Sequence, residues 1–149
     1  MRIEEAIKQK IFRNEYQKLT INLIYSSNWI LKKHKEFFSR FNITEQQYNV
    51  LRILRGQHPQ AISTSEIKSR MLDMNSDSSR IVDRLELKKY VSKKVCKEDK
   101  RRVDVTITDQ GMELLAGIDN NNDQLDVIVT NLSAQEALQL NHLLDKMRK

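Results

Sequence analysis

Apolar residues recur with a helical spacing around positions 74–87, and the predicted helix has one apolar and one polar face. Four apolar side chains share one face at 100° per residue: Met74, Ile81, Val82 and Leu85. The helix is predicted to begin near Asn75 and to continue to Leu87, with Ser78 beside the apolar face. Its candidate solvent-facing contacts are Asn75, Ser76, Ser79, Arg80, Asp83 and Arg84. Such a helix packs on its aliphatic side and leaves serine and arginine donors free on the other.

Directly after this helix, the apolar spacing changes to the period of two that half-buried strands show. The apolar positions of the two predicted strands are Val91 and Val95, then Val103, Val105 and Ile107. Residues 97–102 between them are all charged. The pattern therefore predicts a β-hairpin with a highly charged tip.

The N-terminal part of the chain is predicted to be one long helix, from Ile3 to Phe38. Two rows of apolar residues follow its length, which is more apolar surface than a single contact covers. We therefore expect the helix to be buried on two sides, one of them against another chain. The alternative is a core helix of this chain alone.

Three capping boxes mark the starts of further helices. They are Thr44 with Gln47, Ser63 with Glu66, and Ser133 with Glu136. The residues predicted to face inward from the helix after Ser63 are Ile67, Met71 and Leu72. A long helix capped by Thr108 carries apolar residues as far as Leu132, with a bend or frayed turn at residues 120–122 because asparagine is a weak helix former. The predicted fold class is mainly α-helical with a small β-hairpin.

Positive charge is concentrated in the hairpin. Residues 88–102 hold eight lysines and arginines against two acids, a net charge of +6, and the whole chain also has a net charge of +6. Everything outside these fifteen residues therefore sums to zero. Residues 107–149 carry seven acids against three bases, so this end is predicted to avoid nucleic acid. A concentrated basic surface is typical of a protein that binds a polyanion.

Composition excludes several other classes of protein. The 149 residues suit one domain with helical extensions, and no apolar run reaches the roughly 18 residues of a membrane span. A signal peptide is not recognisable at the N-terminus, which predicts a cytoplasmic protein. The three histidines, His34, His58 and His142, lack the spacing of metal ligands. With three glycines and no recognisable catalytic set, the sequence predicts neither an enzyme nor a cofactor.

Each candidate contact also has a simpler interpretation. Arg80 and Arg84 could donate to guanine edges or to phosphate, or could be solvated and paired with Asp77 or Asp83. Ser76 and Ser79 could donate to phosphate or base edges, or either could be only a cap or a filler. Arg101 at a narrow turn is suited to a minor groove, with Asp99 orienting it, although the two could form a plain surface pair. The predicted phosphate contacts, which make binding salt-dependent, are Lys93, Lys94, Lys97, Lys100 and Arg102.

Five stretches resemble the multiple-antibiotic-resistance-regulator (MarR) family of bacterial transcription regulators. They are residues 43–51, 78–86, 98–102, 105–111, and 132–136 continuing into 143–146. The resemblance implies a winged helix-turn-helix protein that forms one structural unit. Its parts would be an N-terminal dimerisation helix at residues 1–42, a DNA-binding domain at residues 43–108 and C-terminal dimerisation helices at residues 109–149.

The same resemblance implies how the protein works. A homodimer would bind a pseudo-palindromic site in double-stranded DNA, acting as a repressor that responds to a small-molecule effector. The helix from Asn75 would enter the major groove, and the hairpin tip would reach the neighbouring minor groove. A pocket lined by Tyr25, Trp29 and Lys33 is the candidate effector site, although such aromatic residues are also common in cores. The family often has glycine where this chain has Lys89, a substitution that costs about 1 kcal/mol if the residue is left-handed.

Two other functions fit the same pattern. The chain could be a winged-helix module whose basic hairpin binds an acidic protein, or a non-specific nucleoid-associated protein. Cys96 lies among lysines that favour a thiolate, so it is either a redox-sensitive residue or an ordinary strand cysteine.

Overall fold

The computed structural model describes residues 1–149, which form eight helices and a three-stranded sheet. The elements in chain order are α1 (Ile3–Ala6), α2 (Glu15–Ser39), α3 (Glu45–Gln57), β1 (Ile62–Ser63), α4 (Thr64–Arg70), α5 (Ser78–Leu87), β2 (Val91–Val95), β3 (Val103–Ile107), α6 (Asp109–Asp119), α7 (Asp123–Asp126) and α8 (Ala134–Met147). The fold class is the predicted one, mainly α-helical with a small sheet.

All three predicted capping boxes are confirmed. In the box that starts α3, Thr44 Oγ1 accepts a hydrogen bond from the Gln47 amide at 3.1 Å, and the Gln47 side chain accepts one from the Thr44 amide at 3.1 Å. The boxes that start α4 and α8 have the same reciprocal geometry. Each box satisfies two backbone donors that a helix start leaves without partners.

The core lies between α3, α4, α5 and the sheet, and α2 and α6 close it from either side. Its fully buried side chains include Phe38, Leu51, Leu54, Ile67, Val82, Leu85, Val105 and Leu115. Burying each such side chain contributes about 1.5–3 kcal/mol. This packing fixes α5 and the hairpin, the two elements with the candidate DNA contacts, on one rigid base.

The sheet contains one strand that the sequence pattern did not predict. β1 pairs antiparallel with β3, which aligns Ile62 with Val105 and Ser63 with Asp104, and β3 also pairs with β2. Two residues are too few to show a period of two, so β1 left no signal in the pattern.

The predicted single helix from Ile3 to Phe38 is wrong. The chain forms α1, leaves the helical conformation with Lys8 at φ 54°, and resumes at α2, whose N-cap Asn14 accepts a hydrogen bond from the Gln17 amide at 2.9 Å. The sequence did not reveal this cap because apolar residues recur at helical spacing on both sides of it. Glu4 Oε1 lies 2.7 Å from Lys18 Nζ, so α1 contacts the first turn of α2.

The predicted bend or frayed turn at residues 120–122 is found as a turn that interrupts the helix, and the helix does not continue to Leu132. α6 ends at Asp119, and only the four-residue α7 follows before Ser133 caps α8. Asn121 Nδ2 donates to the Gly117 carbonyl at 3.0 Å, a side-chain bond to the backbone of the kind that competes with helix propagation.

Large apolar side chains on α2 and α8 are not covered by the chain itself. α8 contains no buried residue. The exposed aliphatic side chains and methionine on these two helices are Leu19, Ile24, Leu31, Leu138, Leu140, Leu143 and Met147, and α2 also exposes Tyr16, Tyr25 and Trp29. None of the helices has the length and apolar content that a membrane crossing requires.

Candidate nucleic-acid interface

The helix predicted from Asn75 begins three residues later than expected. α5 starts at Ser78, and its N-cap Asp77 accepts a hydrogen bond from the Arg80 amide at 3.1 Å. Asn75 and Ser76 therefore lie in the preceding turn. The Asn75 amide donates to Asp73 Oδ1 at 2.9 Å, and Ser76 Oγ donates to the Asp73 carbonyl at 2.8 Å.

The end of α4 at Arg70 and the later start of α5 correct the predicted orientation of three side chains. Ser76, predicted to face solvent, is 5% exposed, whereas Met74 and Leu72, predicted to face the core, are both 83% exposed. Residues in a turn do not follow the helical period, so a face assigned at 100° per residue fails for them. Within α5 itself, the predicted faces are confirmed: Val82 and Leu85 are fully buried.

The solvent side of α5 presents unpaired arginines. Ser79, Arg80, Asp83 and Arg84 are all exposed. Neither the Arg80 nor the Arg84 guanidinium forms an ion pair, so the pairing with Asp77 or Asp83 weighed from the sequence does not occur. These side chains are free to donate to a ligand.

The hairpin of β2, the turn at residues 96–102 and β3 is the wing of the fold. Its turn is closed by two backbone hydrogen bonds of 2.9 Å, from the Arg102 amide to the Asp99 carbonyl and from the Cys96 amide to the Arg102 carbonyl. The Arg101 side chain at the tip is 95% exposed. Asp99 Oδ1 accepts from the Arg101 amide at 3.0 Å and lies 3.6 Å from Arg101 Nε. Asp99 thus contacts both the backbone and the side chain of Arg101.

Of the remaining wing cations, three are exposed and free of carboxylates: Lys94, Lys97 and Lys100. The other two, Lys93 and Arg102, are in intramolecular ion pairs. Lys93 Nζ lies 2.5 Å from Asp83 Oδ1, and this hydrogen bond raises the pKa of Lys93 above its ordinary value. Arg102 Nε donates to Asp104 Oδ1 at 2.7 Å, which likewise raises the pKa of Arg102.

The junction between α5 and β2 depends on a left-handed residue. Lys89 has φ 63°, the conformation that favours glycine. Thr108 Oγ1 donates to the Lys89 carbonyl at 2.6 Å, and the Thr108 amide donates to the Tyr90 carbonyl at 3.0 Å. Lys88 Nζ donates to the carbonyl of Asn42, beyond the end of α2. The exit from α5 is thus tied to both flanking helical regions.

The recognition surface, defined as the exposed side of α5 together with the wing, is continuous. Because Asp83 on the exposed side of α5 contacts Lys93 on β2, the helix face borders the wing directly. Its free cations are Arg80, Arg84, Lys94, Lys97 and Lys100, and Arg101 at the tip is exposed but contacts Asp99. This arrangement places a polar helix and a cationic hairpin side by side on one rigid unit, a combination suited to double-stranded nucleic acid.

The predicted effector residues are only partly together. Trp29 and Lys33 line a cavity of about 530 Å³ between α2 and the 124–131 segment, but Tyr25 does not line it. A larger cavity of about 1110 Å³, which the sequence did not predict, lies between α2, the start of α3 and the end of α5. Side chains that line this larger cavity include Leu31, Lys35, Ile43, Arg84, Leu87 and Lys88.

No group of three or more metal-binding side chains lies close enough together to hold an ion. His34 Nδ1 instead lies 2.7 Å from Glu45 Oε1, which joins α2 to the first turn of α3. Cys96 is a free, half-buried thiol.

Comparison with known proteins identifies the family of the chain. Residues 43–103 match the MarR family model. The structure of a MarR transcription factor from Planctomyces limnophilus is 30% identical, with a TM-score of 0.71 over 91% of this chain and 98% of that one. A mutant MarR from E. coli, solved with operator DNA, is 26% identical, with a TM-score of 0.78 over 93% and 99%.

The regulator PapX from Escherichia coli is 32% identical over 77 residues, and this match spans 52% of the chain and about half of PapX (47%). The solved relatives, in contrast, match along nearly their whole length and share the winged-helix architecture described above. The chain therefore belongs to the MarR family of DNA-binding transcription regulators.

Proposed function

We propose that the protein is a sequence-specific repressor that binds a pseudo-palindromic site in double-stranded DNA as a homodimer. One observation carries the proposal: the exposed arginines of α5 and the free cations of the wing form one continuous surface. A protein with this geometry reads the major groove with the helix and the adjacent minor groove with the wing tip. Its role is regulatory, not enzymatic, and it acts in the cytoplasm of a bacterium.

In this proposal, α5 is the recognition helix. Arg80 and Arg84 are free to donate two hydrogen bonds each to guanine, the commonest specific contact in the major groove. Ser79 is a shorter donor on the same exposed side, suited to a base edge or a phosphate. Asn75 and Ser76 contribute by forming the turn that leads into the helix. The Ser76 hydroxyl already donates its hydrogen bond to the Asp73 carbonyl.

The wing supplies the second set of contacts. Arg101 stands almost fully exposed at the tip, where a guanidinium can enter a narrow minor groove with its enhanced negative potential. Asp99 limits the directions that the Arg101 side chain takes, through the contacts described above. Lys94, Lys97 and Lys100 bind phosphates, and each such contact steepens the salt dependence of binding by about 0.9 in the logarithmic slope.

A second copy of the chain covers the exposed apolar faces of α2 and α8. Large apolar side chains exposed along two helices indicate an interaction surface. Two-fold symmetry then presents two recognition surfaces to DNA, and binding to one face of the duplex requires half-sites about one helical turn, or 34 Å, apart.

The effector of this proposal binds beneath the recognition helix. The cavity of about 1110 Å³ is the better candidate because Arg84, Leu87 and Lys88 of the α5 end contribute to its wall, opposite Leu31 and Lys35 of α2. A ligand held there contacts both the dimerisation helix and the reading helix, so its binding would alter their relative position. The smaller cavity with Trp29 and Lys33 touches α2 but not α5.

Selection of bound sequences from a random duplex pool tests the proposal. We expect a two-fold symmetric consensus that binds at least about 10³-fold more tightly than random duplex DNA at the same salt concentration. Equal affinity for random DNA would instead identify a non-specific nucleoid-associated protein. Absence of any DNA complex at low salt, together with retention of an acidic protein at high salt, would identify a protein-interaction module.

A further inference from the structure

Two of the wing cations are held at the protein surface by carboxylates from neighbouring elements. Lys93 Nζ lies 2.5 Å from Asp83 Oδ1 and 3.9 Å from Glu86 Oε1, and both acids belong to α5. The Lys93 backbone amide also donates to Glu86 Oε2 at 3.0 Å. Because β2 is an edge strand, this amide has no neighbouring strand to pair with, and Glu86 takes its place. Both the side chain and the backbone of Lys93 are thus fixed to α5.

Arg102 fixes the opposite side of the wing. Its Nε donates to Asp104 Oδ1 on β3 at 2.7 Å, and its Nη2 lies 3.5 Å from Glu66 Oε2 on α4. Glu66 is itself held in place, since the same oxygen accepts hydrogen bonds of 2.9 Å from the amide and from the hydroxyl of Ser63. The base of the turn is therefore tied to the rigid start of α4.

The local charge balance argues against phosphate binding by these two residues. Lys93 faces two carboxylates and Arg102 faces two more, so the acids in contact with each cation outnumber it. A phosphate would have to compete with acids already in contact. Lys94, adjacent to Lys93, is exposed and has no carboxylate partner.

We propose that Lys93 and Arg102 are positioning residues that hold the wing at a fixed angle to the recognition helix, through Asp83 with Glu86 and through Asp104 with Glu66. The inference rests on the proposed function, and it assigns these two cations a different role from the free ones. A fixed angle allows α5 and Arg101 to reach their grooves together. On random DNA, where the base contacts are lost, the angle has less effect on affinity.

The proposal predicts that removing either of two acids weakens DNA binding, whereas charge alone predicts that it strengthens binding. Removing an acid from a DNA-facing surface ordinarily strengthens binding by reducing repulsion of phosphates. Asp83→Asn and Asp104→Asn should instead weaken binding to the selected duplex, about three- to tenfold, because each loosens the wing. Such a factor corresponds to about 0.7–1.4 kcal/mol. Affinity for random duplex should stay unchanged or rise.

Two neighbours provide matched controls. Glu98 is an exposed acid of the wing turn without an ion pair, so Glu98→Gln should tighten binding to both duplexes. Lys94→Gln should lower the slope of log affinity against log salt by about 0.9 on both duplexes, as loss of one phosphate contact requires. Lys93→Gln, in contrast, should reduce the preference for the selected duplex and leave the slope on random DNA unchanged.

Fluorescence anisotropy titrations of these variants at several salt concentrations make the test. Tighter binding of the selected duplex by Asp83→Asn, matching Glu98→Gln, would overturn the proposal, as would a slope change for Lys93→Gln equal to that of Lys94→Gln.

Amide hydrogen exchange in the free protein tests the same ion pairs without DNA. Asp83→Asn should accelerate exchange of the Lys93 amide, and unchanged exchange would also overturn the proposal. If wild-type protein prefers no duplex, the proposed function fails, while the exchange result still decides whether the pairs hold the wing.

Discussion

Replacement of Gly111 by alanine should destabilise the protein, although alanine is the better helix former. Gly111 lies in the first turn of α6, where its amide donates to Thr108 Oγ1 at 3.2 Å. A Cβ at this position would lie 2.4 Å from the Tyr90 carbonyl oxygen and 2.7 Å from Ile107 Cγ1. The Tyr90 carbonyl cannot retreat freely, because it accepts the Thr108 amide at 3.0 Å and directly follows the left-handed residue at the α5 exit.

The expected magnitude follows from two opposing effects. Forcing extra volume into a packed site costs about 1–3 kcal/mol, with the upper part of that range favoured where backbone must move. Alanine in place of glycine within a helix returns about 1 kcal/mol. The net change in the free energy of unfolding is therefore a loss of about 1–2 kcal/mol. For a chain of this size, each 1 kcal/mol lowers the melting temperature by about 2–4 °C.

Gly117 is the matched control, because it lies in the same helix and nothing would lie within 4 Å of its added Cβ. Gly117→Ala should raise stability by about 1 kcal/mol through helix propensity alone. Urea unfolding of both variants at one protein concentration measures the difference, which should reach about 2–3 kcal/mol. Equal stability of the two variants would show that α6 does not approach the α5 exit as closely as described.

Three further predictions concern stability at other sites. Ser78→Ala should stabilise the fold by about 1 kcal/mol in thermal unfolding, because the buried Ser78 hydroxyl has no hydrogen-bond partner; a loss of stability would reveal a partner. Lys89→Gly should also stabilise by about 1 kcal/mol, since glycine adopts φ 63° without strain, and an unchanged melting temperature would argue against that conformation. Hydrogen bonds from the Ser63 amide and hydroxyl lower the pKa of Glu66, so their stabilisation is present above the ordinary glutamate pKa of about 4.3 and is lost as pH falls through the lowered value. Melting temperatures between pH 7 and pH 3 should fall less for Glu66→Gln than for wild type, and parallel curves would contradict this assignment.

Features specified by neighbouring residues could be predicted from the sequence. A capping box is a contact between a side chain and a backbone amide three residues away, so the boxes at Thr44, Ser63 and Ser133 need no tertiary context. The hairpin was predictable because alternation and a charged turn are both local signals. The apolar face of α5 was correct wherever the chain is helical.

The errors arise where tertiary contacts or helix boundaries decide the structure. Met74 and Ser76 were assigned to faces of a helix that had not yet begun, because the Asp77 cap was not recognised. β1 exists only through its pairing with β3. The carboxylate partners of Lys93 and Arg102 come from other elements, including one residue 36 positions away, so a count of charges along the chain could not separate paired from free cations.

Base preferences of two single variants test the central claim most directly, namely that α5 and the wing read two grooves of one duplex. Sequence selection would be repeated with Arg80→Ala and with Arg101→Ala. Each variant should lose about 1–3 kcal/mol of affinity for the wild-type consensus. Arg80→Ala should relax the preference at inner positions of each half-site, and Arg101→Ala should relax an A·T preference at the flanks. Unchanged affinity and an unchanged consensus for both variants would contradict the claim.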